Sequence, residues 1–241
     1  MFKIAICDDE KYFQNRLEEI LRNYQREKGV LYEINAFNSG KELINLGADL
    51  AQYKIVFLDI NMDELDGIWT AKRIREISDD VFLVFVTAFV DYSLEGYKVD
   101  AVRYILKNNE NLDAAIYECI DAIFEKMNYK VTWKEIKFLE SCKKVPLDRI
   151  LYIESKLHKL TFFIMEDGLV KYTLYETLDK IEEDFAENNF IRIHQSFLVN
   201  MKHIRKIERY CLTLNNGMTL NIPRARYKNV EDTFITYKGE I

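Results

Sequence analysis

The sequence predicts an α/β doubly wound domain of (βα)5 type, followed by a second, mostly-β domain. Three observations carry this. Up to about residue 130, short apolar runs alternate with stretches of helical periodicity. Beyond that point the apolar residues recur with a period of two. The charge balance changes sign at the same place. Apolar strands alternating with helices make a parallel sheet covered on both faces. The length of 241 residues suits one or two domains.

In the first half, Phe2–Cys7 is a short apolar run, and Phe13, Leu17, Ile20, Leu21 and Tyr24 then recur at helical spacing. Leu31–Phe37 reads as a strand, and Ser39, with Glu42 three residues on, reads as a helix N-cap. Ile55–Ile60 is a solid apolar strand, and Ile68, Ala71, Ile74 and Ile77 mark a helix. Val81–Val86 is a buried strand, a short helix is expected over Val90–Tyr97, and Val102–Leu106 is the fifth strand. Leu112, Ala115, Ile116, Cys119, Ile120, Ile123 and Met127 mark the last amphipathic helix.

In the second half, strands are expected over Trp133–Leu139, Ile150–Ile153, Leu157–Met165, Leu169–Tyr172, Ile191–Val199, Ile204–Tyr210, Leu212–Leu214 and Met218–Ile222. Turn signals fall at Glu166-Asp167-Gly168 and Asn215-Asn216-Gly217. Helical spacing is seen only around Leu174–Phe185. The expected boundaries are 1–127 for the first domain, 128–132 for a short linker and 133–241 for the second domain.

Composition narrows the function classes. With 8 Gly and 2 Pro there is no long flexible linker. The longest apolar run, Val81–Val86, is far short of the roughly 20 residues of a membrane span. Acidic residues appear from Asp8 onward, unlike a secretory signal. Cys7, Cys119, Cys142 and Cys211 are scattered and read as reduced, mostly buried thiols, so a cytoplasmic location is expected. The net charge of −6 is not that of a basic nucleic-acid binder as a whole, but it is unevenly spread. Residues 1–130 carry 16 basic and 24 acidic side chains, and residues 131–241 carry 18 and 16. Residues 190–228 hold eight basic residues against Glu208 alone, a field that favours a polyanion.

Open parallel sheets bind ligands beyond the C-terminal ends of their strands. Asp8 and Asp9 end the first strand, Asp59 the third, and Thr87 and Lys107 follow the fourth and fifth. If these strands are neighbours, all five residues share one rim. Three carboxylates in such a space repel unless a cation sits among them, and hard oxygen ligands suit Mg²⁺. A lysine and a hydroxyl beside a carboxylate and a dication are what a transferred phosphoryl group needs. The chemistry indicated is phosphorylation of an aspartate.

Here the residues carry a family likeness. Residues 1–125 resemble the receiver domain of two-component response regulators, a flavodoxin-like fold. The likeness rests on Ile4-Ala5-Ile6-Cys7-Asp8-Asp9-Glu10, Phe57-Leu58-Asp59-Ile60-Asn61-Met62, Asp66-Gly67, Val86-Thr87-Ala88 and Tyr104-Ile105-Leu106-Lys107. It implies that Asp59 accepts the phosphoryl group from a sensor histidine kinase. It also implies that Asp8, Asp9, Asp59 and the Asn61 backbone carbonyl hold Mg²⁺, and that Thr87 and Lys107 contact phosphoryl oxygens. Tyr104 would turn inward as Thr87 moves, Asn61 and Phe89 would set the lifetime of the phosphoryl group, and Leu94 and Val102 are candidates for a dimer face of the phosphorylated form. Asn108 stands where a cis proline usually follows the lysine. A non-proline cis bond costs about 3–4 kcal/mol, so the turn after Lys107 is expected to differ. A haloacid-dehalogenase-type phosphotransferase is the alternative for Asp59, but that family places a second Asp where Asn61 stands.

The basic half has no helix-turn-helix signature and no zinc-ligand spacing around His158, His194 and His203. In Phe190–Asn200, alternation turns Ile191 and Ile193 inward and Arg192 and His194 outward. Continued strictly, it buries Gln195 beside Phe197, whereas a break near Gln195 frees that amide; the pattern leaves both open. This segment, with Leu151-Tyr152-Ile153-Glu154-Ser155, His158-Lys159-Leu160 and Ile222-Pro223-Arg224, resembles the LytTR DNA-binding domain. The resemblance implies a ten-stranded β fold whose loops enter major grooves of promoter DNA at direct repeats. It maps the family's readers onto His158, Gln195 and Arg224. Arginine can grip guanine and glutamine adenine, each through two hydrogen bonds. Lys156, Lys159, Arg192, Asn200, Lys202 and Arg226 are expected to meet phosphates. The chain is therefore expected to be a DNA-binding response regulator and not an enzyme; a receiver-linked adaptor that binds only proteins is the remaining alternative.

Overall fold

The structure, a computed structural model, describes residues 2–62, 66–89, 99–166 and 168–239. It divides into two compact units, residues 1–130 and 131–241.

In the first unit, β1 (Phe2–Cys7), β2 (Tyr32–Phe37), β3 (Tyr53–Leu58), β4 (Phe82–Thr87) and β5 (Arg103–Leu106) form one parallel sheet in the order β2-β1-β3-β4-β5. Strands one, three, four and five are thus neighbours, as the shared rim requires. Helices α1 (Lys11–Lys28), α2 (Gly40–Ile44), α3 (Gly67–Ile77) and α4 (Leu112–Lys126) cover the sheet. Strand alternation divides its buried side chains. Ala5, Cys7, Val56, Leu58, Leu83 and Phe85 join Leu43, Ile68, Ala71 and Ile74 in one core. Both α1, through Leu17, Ile20 and Leu21, and α4, through Ile116, Ile120 and Ile123, bury complete apolar stripes. Ser39 caps α2 by accepting the Glu42 N–H at 3.2 Å, and α1 ends at Gly29, whose φ of 70° suits a residue without Cβ. The helix expected over 90–97, with Leu94, lies outside the described residues.

The second unit contains ten strands among the described residues. A five-stranded sheet has the order β10-β9-β8-β12-β11, built from β8 (Ile150–Lys156), β9 (Lys159–Met165), β10 (Leu169–Leu174), β11 (Phe190–His194) and β12 (Phe197–Asn200). Its pairings are antiparallel. One face packs Ile153, Leu160, Phe162, Ile164 and Leu198 against β6 (Trp133–Lys137), β7 (Cys142–Pro146) and α5 (Leu178–Asp184). The other packs Tyr152, Phe163, Ile191, Ile193 and Val199 against β13 (Ile204–Glu208), β14 (Cys211–Leu214), β15 (Thr219–Asn221) and α6 (Arg224–Gly239). Both faces are covered, so Leu151-Tyr152-Ile153 and Phe162-Phe163-Ile164 are continuous apolar runs where one-sided burial would leave polar residues.

Three expectations need correction. Helical structure is not confined to Leu174–Phe185, because α6 is a 16-residue helix. Its buried residues, Val230 and Tyr237, are seven apart, too sparse a stripe to register as helical periodicity. Strand β7 was hidden by the polar run Cys142-Lys143-Lys144, and Cys142 is exposed. The expected strand Ile191–Val199 is two strands that turn at Gln195-Ser196.

Candidate functional site

The first cluster is built on the carboxyl ends of β1, β3 and β5. Asp59 follows β3, and its N–H donates to the Cys7 carbonyl at 2.9 Å, locking it to the end of β1. Its Oδ1 accepts the Ile60 N–H at 2.7 Å. Behind it, Gly67 opens α3. A Cβ there would lie 2.0 Å from the Asp59 carbonyl oxygen and 2.8 Å from the Ile60 Cα, so only glycine admits this approach. Asp66 caps the same helix by accepting the Ile68 N–H at 2.8 Å. The Asp66-Gly67 pair thus sets the floor under Asp59.

Lys107 follows β5, and its N–H donates to the Thr87 carbonyl at 2.8 Å. Its ammonium lies 2.7 Å from Asp59 Oδ2, 2.8 Å from Asp8 Oδ2 and 3.3 Å from Glu10 Oε1, and 4.3 Å from the centre of the Phe13 ring. Among the described residues no peptide bond is cis, and Lys107 reaches both carboxylates with Asn108 after it. Asp59 and Lys107 are buried, at 4% and 6% exposure. Burial pushes the Asp8 carboxyl up to about 6, against the pull of Lys107. Burial works against the Lys107 ammonium too, but hydrogen bonds to Asp59 and Asp8 outweigh it and hold its pKa above the ordinary lysine value. Thr87 is fully buried at the end of β4, its hydroxyl accepting the Phe89 N–H at 3.4 Å. Tyr104 packs against Phe85, and its hydroxyl donates to the Phe89 carbonyl. A cleft of about 140 Å³ beside Asp59 is lined by Ile60, Asn61, Met62, Asp66 and Phe89.

The donor set fits a hard dication, with one change from expectation. The carboxylates of Asp8, Glu10 and Asp59 offer oxygens within 4.8 Å of one another, and Asp9 is not in that group. Glu10 is the N-cap of α1, where the extended backbone turns its side chain back toward Lys107. The signal for it was its place directly after Asp8-Asp9.

The second cluster lies at one end of the five-stranded sheet. Strands β8 and β9 are joined by Leu157-His158, with Lys156 paired to Lys159. Both turn residues have positive φ, 51° and 62°, a turn geometry in which Asn-Gly is usual. Leu157 and His158 are exposed, as are Lys156 and Gln195, and Lys159 is half-buried. Gln195 sits in the β11–β12 turn, and the Ser155 N–H donates to the Ser196 carbonyl at 2.8 Å, which puts the two turns side by side. Arg226, in the first turn of α6, donates to the Arg192 carbonyl at 3.2 Å and brings the helix start to the same end. Arg224 is exposed and lies over the Tyr210 ring at 5.7 Å; Tyr210 in turn meets Tyr227 edge-on at 4.8 Å.

Three expected phosphate contacts are engaged inside the protein instead. Asn200 is 1% exposed, and its amide donates to the Leu147 and Ile150 carbonyls at 3.2 and 3.1 Å. Lys202 holds both carboxylate oxygens of Asp148 at 2.7 Å. Arg192 is turned onto its own loop and α5. The partners of Asn200 and Lys202 lie some 50 residues earlier in the chain, and Arg192 folds back on its own turn as well as onto α5, none of which strand alternation reports.

Comparison with known proteins finds one family model over each unit. Residues 4–117 match the family model of the response regulator receiver domain, and residues 140–234 match that of the LytTR DNA-binding domain. The sensory transduction protein LytT of Bacillus subtilis (strain 168) is 25% identical over 248 residues, covering 96% of this chain and 98% of that protein. The transcriptional regulatory protein LytR of Staphylococcus aureus (strain N315) is 26% identical over 246 residues, covering 94% and 96%. Among solved structures, the response regulatory domain of protein mrkE from Klebsiella pneumoniae is similar at 25% identity and a TM-score of 0.47, covering 54% of this chain and all of that one. With a receiver match over the first unit and a LytTR match over the second, the chain belongs to the response regulators that join these two domains.

Proposed function

We propose that this chain is a DNA-binding transcription factor switched by phosphorylation of Asp59, with a sensor histidine kinase as donor. The observation that supports the switch is the meeting of Asp8, Asp59 and Lys107, from three strand ends, within hydrogen-bonding distance. In this reading Asp59 Oδ2 attacks the phosphorus of the kinase's phosphohistidine. The phosphorus–nitrogen bond breaks with its electron pair returning to the imidazole, which takes up a proton, and Lys107 lets go of the carboxylate to neutralise the phosphoryl oxygens. Thr87 supplies a hydroxyl on the same rim, and Tyr104 follows its movement. Asp8, Glu10 and Asp59, with the Asn61 carbonyl, would hold Mg²⁺, and Asp9 would have to turn toward them to join; the ion would supply charge neutralisation for the phosphoryl oxygens. The chemistry is confined to the receiver's own gain and loss of phosphate. Phosphorylation adds about −1.5 to −2 charge where Lys107 now balances two carboxylates, a change able to bias a two-state element and favour a homodimer.

The β domain is then the output. His158, Gln195 and Arg224 read bases of promoter DNA at direct repeats, while Lys156, Lys159 and Arg226 meet phosphates. Two measurements test the proposal. Asp59→Asn should abolish labelling by acetyl phosphate with Mg²⁺; persistent stoichiometric labelling would move the acceptor elsewhere. Genomic fragments retained by the full-length protein should share repeated sites and increase with acetyl phosphate. Retention of none would leave a receiver without a DNA output.

A further inference from the structure

Arg192 was expected to meet a phosphate, yet its guanidinium points into the protein. The side chain is 10% exposed. Nε donates to the His194 carbonyl at 2.7 Å and Nη2 to the Gln195 carbonyl at 2.6 Å. Nη1 donates to Asp179 Oδ1 at 3.2 Å and Glu182 Oε2 at 3.0 Å, both on α5. One planar fork therefore ties two successive carbonyls of the β11–β12 turn to a helix. The rest of the turn is held as well. His194 Nδ1 accepts the Ser196 N–H at 3.1 Å, and the Ser196 carbonyl accepts the Ser155 N–H at 2.8 Å. Gln195, at the tip of the turn, is exposed, and its side chain makes no hydrogen bond to a described residue.

We propose that Arg192 is a positioning residue for DNA recognition: braced by Asp179 and Glu182, it holds the Gln195 turn in its reading shape and does not itself touch DNA. The inference rests on the proposed role of Gln195 as a base reader. Binding costs less when the contacting loop is ordered beforehand, so loosening the brace weakens recognition without removing any contact. The two carboxylates give the proposal a signature opposite to simple electrostatics. Deleting negative charge beside a DNA-binding surface tightens binding if charge alone matters. Deleting Asp179 and Glu182 here frees the guanidinium and should weaken it.

The test uses the full-length protein and a duplex selected from a randomised pool by the unaltered chain. Arg192→Lys and the double variant Asp179→Ala/Glu182→Ala should each lose about tenfold in affinity. The slope of log affinity against log salt should not change, and selectivity at the base read by Gln195 should flatten. In a Gln195→Ala background the Arg192→Lys change should cost little more, because both act through one contact. In Arg192→Ala, which removes the charge, a slope reduced by about 0.9 would make Arg192 a phosphate contact and overturn the proposal, as would tighter binding by the carboxylate variant. Amide hydrogen exchange without DNA provides a separate arm. Exchange at Gln195–Phe197 should quicken in both variants relative to the unaltered chain. Unchanged exchange overturns the brace even if the unaltered protein selects no duplex, whereas quickened exchange with no duplex selected supports the brace and removes the reader role of Gln195.

Discussion

Lys107 Nζ lies 2.7 Å from Asp59 Oδ2 in a pocket where the lysine side chain is 2% exposed, and it lies 2.8 Å from Asp8 Oδ2 at the same time. One ammonium therefore balances two carboxylates that would otherwise face each other in a desolvated space. Removing one partner of a buried ion pair costs about 3–5 kcal/mol. We expect Lys107→Ala to lower the stability of residues 1–130 by that order in urea unfolding, and added Mg²⁺ to restore part of the loss. An unchanged midpoint would show that the ammonium is not what neutralises the pocket.

The close approach at Gly67 gives a second expectation. Gly67→Ala places a methyl group against the Asp59 carbonyl and the Ile60 Cα, both backbone, which have no rotamer to change. Overpacking of this kind costs about 1–3 kcal/mol. The variant should lose stability and also label more slowly with acetyl phosphate, because the strain falls on the backbone that aims Asp59. Labelling at the original rate would show that α3 can shift without moving the acceptor.

Asn200 offers a contrast with the residues proposed to face DNA. Its amide satisfies the Leu147 and Ile150 carbonyls, and its Oδ1 accepts the Lys202 N–H at 3.0 Å. Asn200→Ala leaves buried backbone groups unpaired, at about 1–3 kcal/mol. Chemical unfolding should register that loss. The DNA affinity of the folded protein should change little; a loss of about tenfold with the fold intact would restore Asn200 as a phosphate contact.

His203 makes the second unit sensitive to acid. It is 5% exposed, and its Nε2 lies 2.6 Å from the Asp148 carbonyl. Burial lowers its pKa from 6.5, only partly opposed by that carbonyl. The folded state therefore binds its proton less readily than the unfolded chain. Stability from this residue is complete above pH 6.5 and is lost as pH falls below it, because the unfolded state then takes up the proton. Denaturant midpoints between pH 7.5 and 5 should fall for the unaltered protein and fall less for His203→Asn. Parallel curves for the two would rule the histidine out as the cause.

The sequence alone determined which residues end the strands of the first domain and that the second is built from β-strands. The apolar runs report burial directly, and the order of Asp8, Asp9, Asp59, Thr87 and Lys107 along the chain needs only a parallel sheet to converge. The break at Gln195 was legible as one of two outcomes, since a polar residue at an inward position must either find partners or leave the strand. What the tertiary structure decided are the partners of polar side chains. Glu10 lies beside Asp8 and Asp59 because α1 begins there, and Arg192 meets Asp179 because α5 packs across β11, 13 residues away in sequence. Asn200 turns inward to carbonyls some 50 residues earlier. Periodicity tells which face of an element is apolar, but a hydrogen bond depends on where two chain segments far apart in sequence finally lie, and only packing sets that.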